Sequence, residues 1–124
     1  IQDGMQEIYA KVDAADNIII AAPVYFNSLP GKMKVLIDRF QMFWASEVRG
    51  DKPEELSKKG AGLLVGGAPY FEKQFTGSEL VIDGLFDDFR AENLGVVTFS
   101  DSDRQKVGES EHTVQAIRDL ARRF

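Results

Sequence analysis

The 124-residue sequence has no cysteine and a single histidine, His112. The first absence excludes disulfides, thiolate zinc sites and cysteine-held iron–sulfur clusters within this chain. The second excludes a histidine-rich metal site. Proline is scarce, and there is neither a low-complexity tract nor an internal repeat. The longest apolar run is far too short to cross a bilayer, and no basic-then-apolar stretch opens the sequence. No membrane partner is therefore expected, and the cytoplasm is the default compartment. Acidic residues outnumber basic ones, 20 to 15, for a net charge of −5. Without a basic patch interleaved with aromatics, nucleic acid is not an expected partner either. The remaining composition, 44% hydrophobic and 28% charged, is that of one globular domain long enough to bury a core. The first residue is Ile1 rather than methionine, so the expectation is a piece of something longer.

The apolar pattern gives the order of elements. Met5, Ile8, Tyr9 and Val12 form one stripe, predicting a helix over 3–15 with Asp3 as N-cap and Gln6 as its capping-box partner. Asn17 to Phe26 is a continuous apolar run that suits a strand buried on both faces. A second helix is predicted from Ser28–Pro30, with the stripe Met33, Leu36, Ile37, Phe40, Phe43 and Trp44. Residues 46–60 are polar and read as a surface connection. Ala61 to Gly67 is a second strand. Thr76 and Glu79 are spaced as a capping box ahead of a third stripe, Ile82, Leu85, Phe86 and Phe89. Leu94 to Phe99 is a third strand, and Ser100–Gly108 an acidic, turn-rich loop. The closing helix carries Val114, Ile117, Leu120 and Phe124, with Arg118, Arg122 and Arg123 towards its C-terminus. Alternating helices and strands imply an α/β layered fold on a parallel sheet, with ligands beyond the carboxyl ends of the strands.

Two strand ends are candidate sites. Pro23-Val24-Tyr25-Phe26-Asn27-Ser28 places two large planar side chains and hydrogen-bonding groups ahead of a helix N-terminus. That combination suits a planar heteroaromatic ligand; the alternative is that Tyr25 and Phe26 simply close the core. Gly66-Gly67-Ala68 lets backbone approach a ligand closely, or serves any tight turn. Ser100-Asp101-Ser102-Asp103 matches no complete calcium loop and reads as a solvated acidic turn. Arg49-Gly50-Asp51 is read as coincidence, His112 as a surface residue, and Asp38 with Arg39 as a solvated helix face. No Gly-x-Ser-x-Gly and no phosphate-cradling glycine loop is present. A phosphoacceptor receiver domain would need an acidic pocket where Pro23-Val24-Tyr25-Phe26 stands.

Ala22 to Arg39, "APVYFNSLPGKMKVLIDR", resembles the segment S-P-V-Y-F-G-S-V-P-A-Q-L-K-A-F-I-D-R of flavodoxin-like FMN proteins. These are the NAD(P)H-dependent FMN reductases and iron–sulfur flavoproteins, with quinone oxidoreductases as relatives. Pro23, Val24, Tyr25, Phe26, Ser28, Pro30, Lys34, Ile37, Asp38 and Arg39 agree without a gap. Weaker likeness runs through "IQDGMQEIYAKVDAADNIII", "KKGAGLLVGG" and "TGSE", so it covers most of residues 1–99.

The resemblance implies a flavodoxin-like three-layer sandwich with a parallel sheet, seen here as a single, incomplete domain (residues 1–124) lacking the first two strands. It implies FMN as cofactor, with Pro23, Val24, Tyr25, Phe26, Asn27 and Ser28 against the isoalloxazine and ribityl chain. Gly66, Gly67 and Ala68 would border the ring's other edge. It also implies NAD(P)H as electron donor, a quinone, small molecule or protein as acceptor, and a homo-oligomer, dimer or tetramer. No acid–base pair is required, since the flavin carries the chemistry. The family's phosphate-binding loop and the cysteines of its iron–sulfur branch precede the matched region, and Asn27 replaces the usual glycine. Without a first strand, the strand from Asn17 would be an apolar edge, to be covered by a preceding segment or a second copy. The other reading is a cofactor-free flavodoxin-like module acting as an oligomeric or interaction unit.

Overall fold

A computed structural model describes residues 3–51 and 54–124. Its elements are α1 (Met5–Ala14), β1 (Asn17–Pro23), α2 (Gly31–Arg39), α3 (Gln41–Val48), β2 (Lys58–Val65), α4 (Thr76–Phe89), β3 (Ala91–Phe99) and α5 (Glu111–Ala121), with one 3₁₀ turn at Val107–Glu109. The strands form one parallel sheet in the order β1-β2-β3. Helices lie on both sides of it, which makes the expected α/β three-layer arrangement.

Alternation along each strand divides the apolar residues between two faces. Ile18, Ile20, Ala22 and Leu64 point to the face covered by α1, α2, α3 and α4, where Phe40, Phe43, Ile82, Leu85, Phe86 and Phe89 complete the main core. Phe89 meets Phe40 and Phe43 edge-on, with ring centroids 5.0 and 5.3 Å apart. Phe86 lies flush over Gly60, where an added side-chain carbon would come within 2.7 Å of the ring. The opposite face holds Ala61, Leu94 and Leu120, with Leu63, Val97 and Phe124 packed around them, and α5 as its cover. A bulge in β3, between the partners of Gly60 and Gly62, sits at Gly95, whose φ of 131° only glycine adopts readily.

Two adjacent lysines exploit the same alternation at the amino end of β2. Lys58 Nζ donates to the carbonyls of Asp13 and Ala15 at the end of α1, 2.7 and 2.9 Å away. Lys59 Nζ donates to those of Arg123 and Phe124, past α5 on the other face. These lysines made residues 58–60 read as part of a polar connection; they belong to the strand.

Other expectations need correcting. β1 ends at Pro23, not Phe26, because the chain turns back on itself immediately afterwards. Nor is β1 buried on both faces: Asn17, Ile19, Ala21 and Pro23 are exposed, and Ile19 keeps 60% of its surface. The second helix is two helices. Phe40 N–H bonds the carbonyl of Ile37, and Phe43 N–H that of Phe40, a three-residue tightening with no glycine or proline to announce it. The break turns Phe40 and Phe43 into one core and leaves Trp44 half exposed. Thr76 is not an N-cap: Phe75 holds that place and no side chain caps α4. At α1 the expected reciprocal pair does form, Asp3 accepting from Met5 N–H and Gln6 from Asp3 N–H, although the capping position itself is Gly4. The third strand begins at Ala91 rather than Leu94.

Candidate functional site

Because the strands are parallel, their carboxyl ends lie together, and the loops after Pro23, Val65 and Phe99 leave from one end of the sheet. The first loop is built by backbone. Val24 N–H still bonds Val65 carbonyl at 2.8 Å; then Tyr25 N–H bonds Ser28 carbonyl at 2.9 Å and Ser28 N–H bonds Tyr25 carbonyl at 3.1 Å. Between them Phe26 and Asn27 take φ of 53° and 60°, the geometry of a tight primed turn. Asparagine tolerates that region, which accounts for Asn27 at a position suited to glycine. A phenylalanine there costs about 1–3 kcal/mol. Neither aromatic closes the core: Phe26 is fully exposed and Tyr25 is 65% exposed. Leu29 is the buried residue of this loop.

The second and third loops are zipped together. Gly66 N–H bonds Phe99 carbonyl at 2.8 Å, while Asp101, Ser102 and Asp103 N–H groups bond the carbonyls of Ala68, Gly66 and Gly67 at 2.7, 3.1 and 3.3 Å. Both glycines have an internal use. A side-chain carbon on Gly66 would lie 2.5 Å from Gln74 Nε2, and one on Gly67 would lie 2.8 Å from the Asp103 carboxylate. The start of α4 touches the first loop in the same way, since a side chain on Gly77 would meet the Asn27 carbonyl at 2.7 Å. Gln74, Gly77 and Asp103 thus hold the candidate loops from behind. Of these, Gln74 had no sign in the sequence, standing in neither a periodic pattern nor a motif.

At this end Phe26, Asn27 and Ala68 are exposed and Gly67 is half-buried. Among the described residues, the N–H groups of Phe26, Asn27, Gly67 and Ala68 donate to no protein group. Tyr70 and Phe71 add exposed aromatic surface on the second loop. Free amide donors beside exposed rings fit the edge and face of a flat heteroaromatic ring such as isoalloxazine.

The other sequence candidates fall apart from this end. Asp38 is paired with Lys34, and Arg39 with Asp3 at 2.8 Å, so they are not a catalytic pair. The Arg39 guanidinium, followed by Met5 N–H, holds the Asp3 carboxyl below the usual carboxylate value. Arg49 and Asp51 pair with each other at 2.9 Å. His112 is exposed in the first turn of α5 and borders a surface hollow with Glu111 and Arg118. Asp101, in the left-handed region, pairs with Arg104 at 3.0 Å. No group of three metal-ligating side chains occurs among the described residues.

Known proteins resemble this chain in sequence and in fold. The NADPH-dependent FMN reductase family matches residues 1–74. An iron–sulfur flavoprotein of Methanosarcina thermophila is 44% identical over 68 residues, 55% of this chain and 33% of its own length. An iron–sulfur flavoprotein of Methanocaldococcus jannaschii is 30% identical over 138 aligned positions, taking in 99% of this chain and 64% of its own. The chain thus spans a third to under two thirds of these relatives. The Trp repressor binding protein of Bacillus subtilis shares the fold, with a TM-score of 0.64 and 20% identity over 94% of this chain and 73% of that one. The matched residues include the Pro23–Ser28 turn and Gly66–Gly67. By sequence match, the chain belongs to the NADPH-dependent FMN reductase family.

Proposed function

We propose that this chain forms the ring-binding part of an FMN-dependent oxidoreductase. In this reading Pro23, Val24, Tyr25, Phe26, Asn27 and Ser28 lie against the isoalloxazine and ribityl chain, and Gly66, Gly67 and Ala68 border the other edge. The observation that carries it is the turn at Phe26–Asn27. A bulky residue is held in a costly conformation and its ring is left wholly in solvent, with unused amide donors beside it. Strain of this kind is retained where it presents a group to a ligand.

When bound, FMN supplies the acceptor for the hydride of NAD(P)H and the donor of one or two electrons to a quinone, small-molecule or protein acceptor. The residues present position and shield: Tyr25 and Phe26 give a face to stack on, and the Phe26, Asn27, Gly67 and Ala68 amides bond the ring's polar edge. Residues 1–124 act as one domain. The open edge of β1 and the exposed Ile19 and Ala21 beside it favour pairing with further chain, and a homo-oligomer is part of the proposal. No helix among the described residues is long and apolar enough to cross a membrane, in keeping with a cytoplasmic role.

The test is the visible spectrum of the purified chain on a sizing column, with and without added FMN. Flavin bands that elute with protein and bleach on NADH or NADPH are the expected result, and the elution volume reports the oligomer. A colourless protein that ignores FMN would favour the second reading, a cofactor-free interaction module, which the uncovered apolar side of β1 supports. Phe26→Gly separates ring binding from mere turn formation: it relieves the backbone strain, so stability rises by about 1 kcal/mol while FMN is lost.

A further inference from the structure

Gln74 is a long polar side chain, only 4% exposed, that joins the second loop to the third. Its Nε2 donates to the Ala68 carbonyl at 3.3 Å, in the second loop. Its Oε1 accepts from Ser100 Oγ at 2.7 Å, in the third. Its amide also lies against the Gly66 backbone, at a distance that leaves no room for a side-chain carbon there. Phe75, buried immediately after it, fixes the backbone from which the side chain projects, and α4 begins at the next residue. A single amide therefore touches Gly66, Ala68 and Ser100 from inside the molecule.

Elsewhere a buried glutamine would be explained by a need for hydrogen bonds. Here the need is weak. The Ala68 carbonyl already accepts from Asp101 N–H at 2.7 Å, so it would remain satisfied without Gln74. Ser100 is only half-buried, so water can reach its hydroxyl. Replacing both partners of such a bond by apolar groups is close to neutral for stability. What Gln74 supplies, beside the four backbone bonds that already join these two loops, is a side-chain tie between them from inside the molecule.

We propose that Gln74 is a positioning residue, which locks the Gly66–Ala68 loop to the Ser100–Asp103 loop and so sets the backbone edge that the flavin ring meets. The role rests on the ring-binding reading given above. Gly66 is the other half of the device, since any larger residue would displace the Gln74 amide. The Gly67 and Ala68 amides, which donate to no protein group among the described residues, are then held in place before ligand arrives, and binding has no loop ordering to offset.

The experiment compares the full chain with Gln74→Met, of similar length and without hydrogen bonds, and with Ser100→Ala. Amide hydrogen exchange is measured without ligand, and FMN affinity by quenching of flavin fluorescence. In Gln74→Met the amides of Asp101, Ser102 and Asp103 are expected to exchange about tenfold faster, while those of Ile20 and Leu64 in the strand interiors keep their rates. FMN affinity is expected to fall about tenfold or more with the thermal midpoint little changed. Ser100→Ala should reproduce part of both effects, and the double variant should be no worse than Gln74→Met. Unchanged loop exchange overturns the proposal, as does acceleration spread evenly over the sheet, the mark of a merely structural residue. Equal FMN affinity in variant and wild type overturns it too. If the wild type binds no FMN at all, the ring-binding reading fails, and the exchange rates still decide whether Gln74 is a lock.

Discussion

The two faces of the sheet are made from the same three strands and are finished very differently. On one, α1, α2, α3 and α4 cover all three strands, and Phe86, Ile82 and Leu64 are almost wholly excluded from solvent. On the other, α5 covers β2 and β3 and stops. There Ile19 of β1 lines an open groove of about 320 Å³ with Leu63, Ile117, Leu120 and Phe124. A parallel sheet normally has both faces covered, since the strands of such sheets are apolar on both sides. The difference teaches that the same three apolar strands can be closed on one face and leave Ile19 of β1 exposed on the other.

The largest effect is expected on the closed face. Phe86→Ala should cost about 3–5 kcal/mol, because the ring leaves a void against Gly60 that nothing nearby can fill. Leu120→Ala, on the face with one helix, should cost about 2 kcal/mol, at the low end for a buried leucine, as its cavity opens to the groove. Urea unfolding of both variants measures the contrast; equal losses would mean that the two faces are equally closed in solution. Ile19→Ser then asks what covers β1. In a chain with the groove open it should change stability by less than about 0.5 kcal/mol. A cost of 2 kcal/mol or more, falling as the protein is diluted, would show that a second copy sits on the groove.

The smallest effect concerns the ion pair beneath the closed face. Asp3 has its carboxyl held down by Arg39, so its folded value lies below its unfolded one. The pair therefore adds stability above the unfolded carboxylate range, near pH 4, and loses it as pH falls through the folded value. Asp3→Asn should be less stable than wild type at neutral pH, and the gap should close as pH falls through the folded Asp3 value, with salt shrinking it. A difference that persists unchanged in acid would show that the effect does not come from the Asp3 charge. Tyr9 braces the same corner, its hydroxyl donating to the Arg39 carbonyl at 2.8 Å.

How much of this could be read beforehand varies with the range of the cause. The stripe Ile82, Leu85, Phe86 and Phe89 predicted α4 correctly, since each residue's burial follows from helical spacing. The Pro23–Ser28 segment was legible as a candidate site from its residue types. That its aromatics stand in solvent was not, because only the turn back from Tyr25 to Ser28 turns them outward. Thr76 looked like a cap and is not one: Phe75, needed in the core, takes the position and advances the helix by a residue. Asn17 to Phe26 looked buried on both sides because composition reports what a strand could bury and not what is there to bury it.

The sequence by itself determined the alternation of helices and strands, the parallel sheet that alternation requires, and the segment that carries the family resemblance. Those depend on local period and on residues adjacent in the chain. Only the tertiary structure decided that Gly66 makes room for Gln74, Gly67 for Asp103 and Gly77 for Asn27, and that one side of β1 is bare. Each is a contact between residues on different elements, and close approach of that kind leaves no periodic trace in either partner.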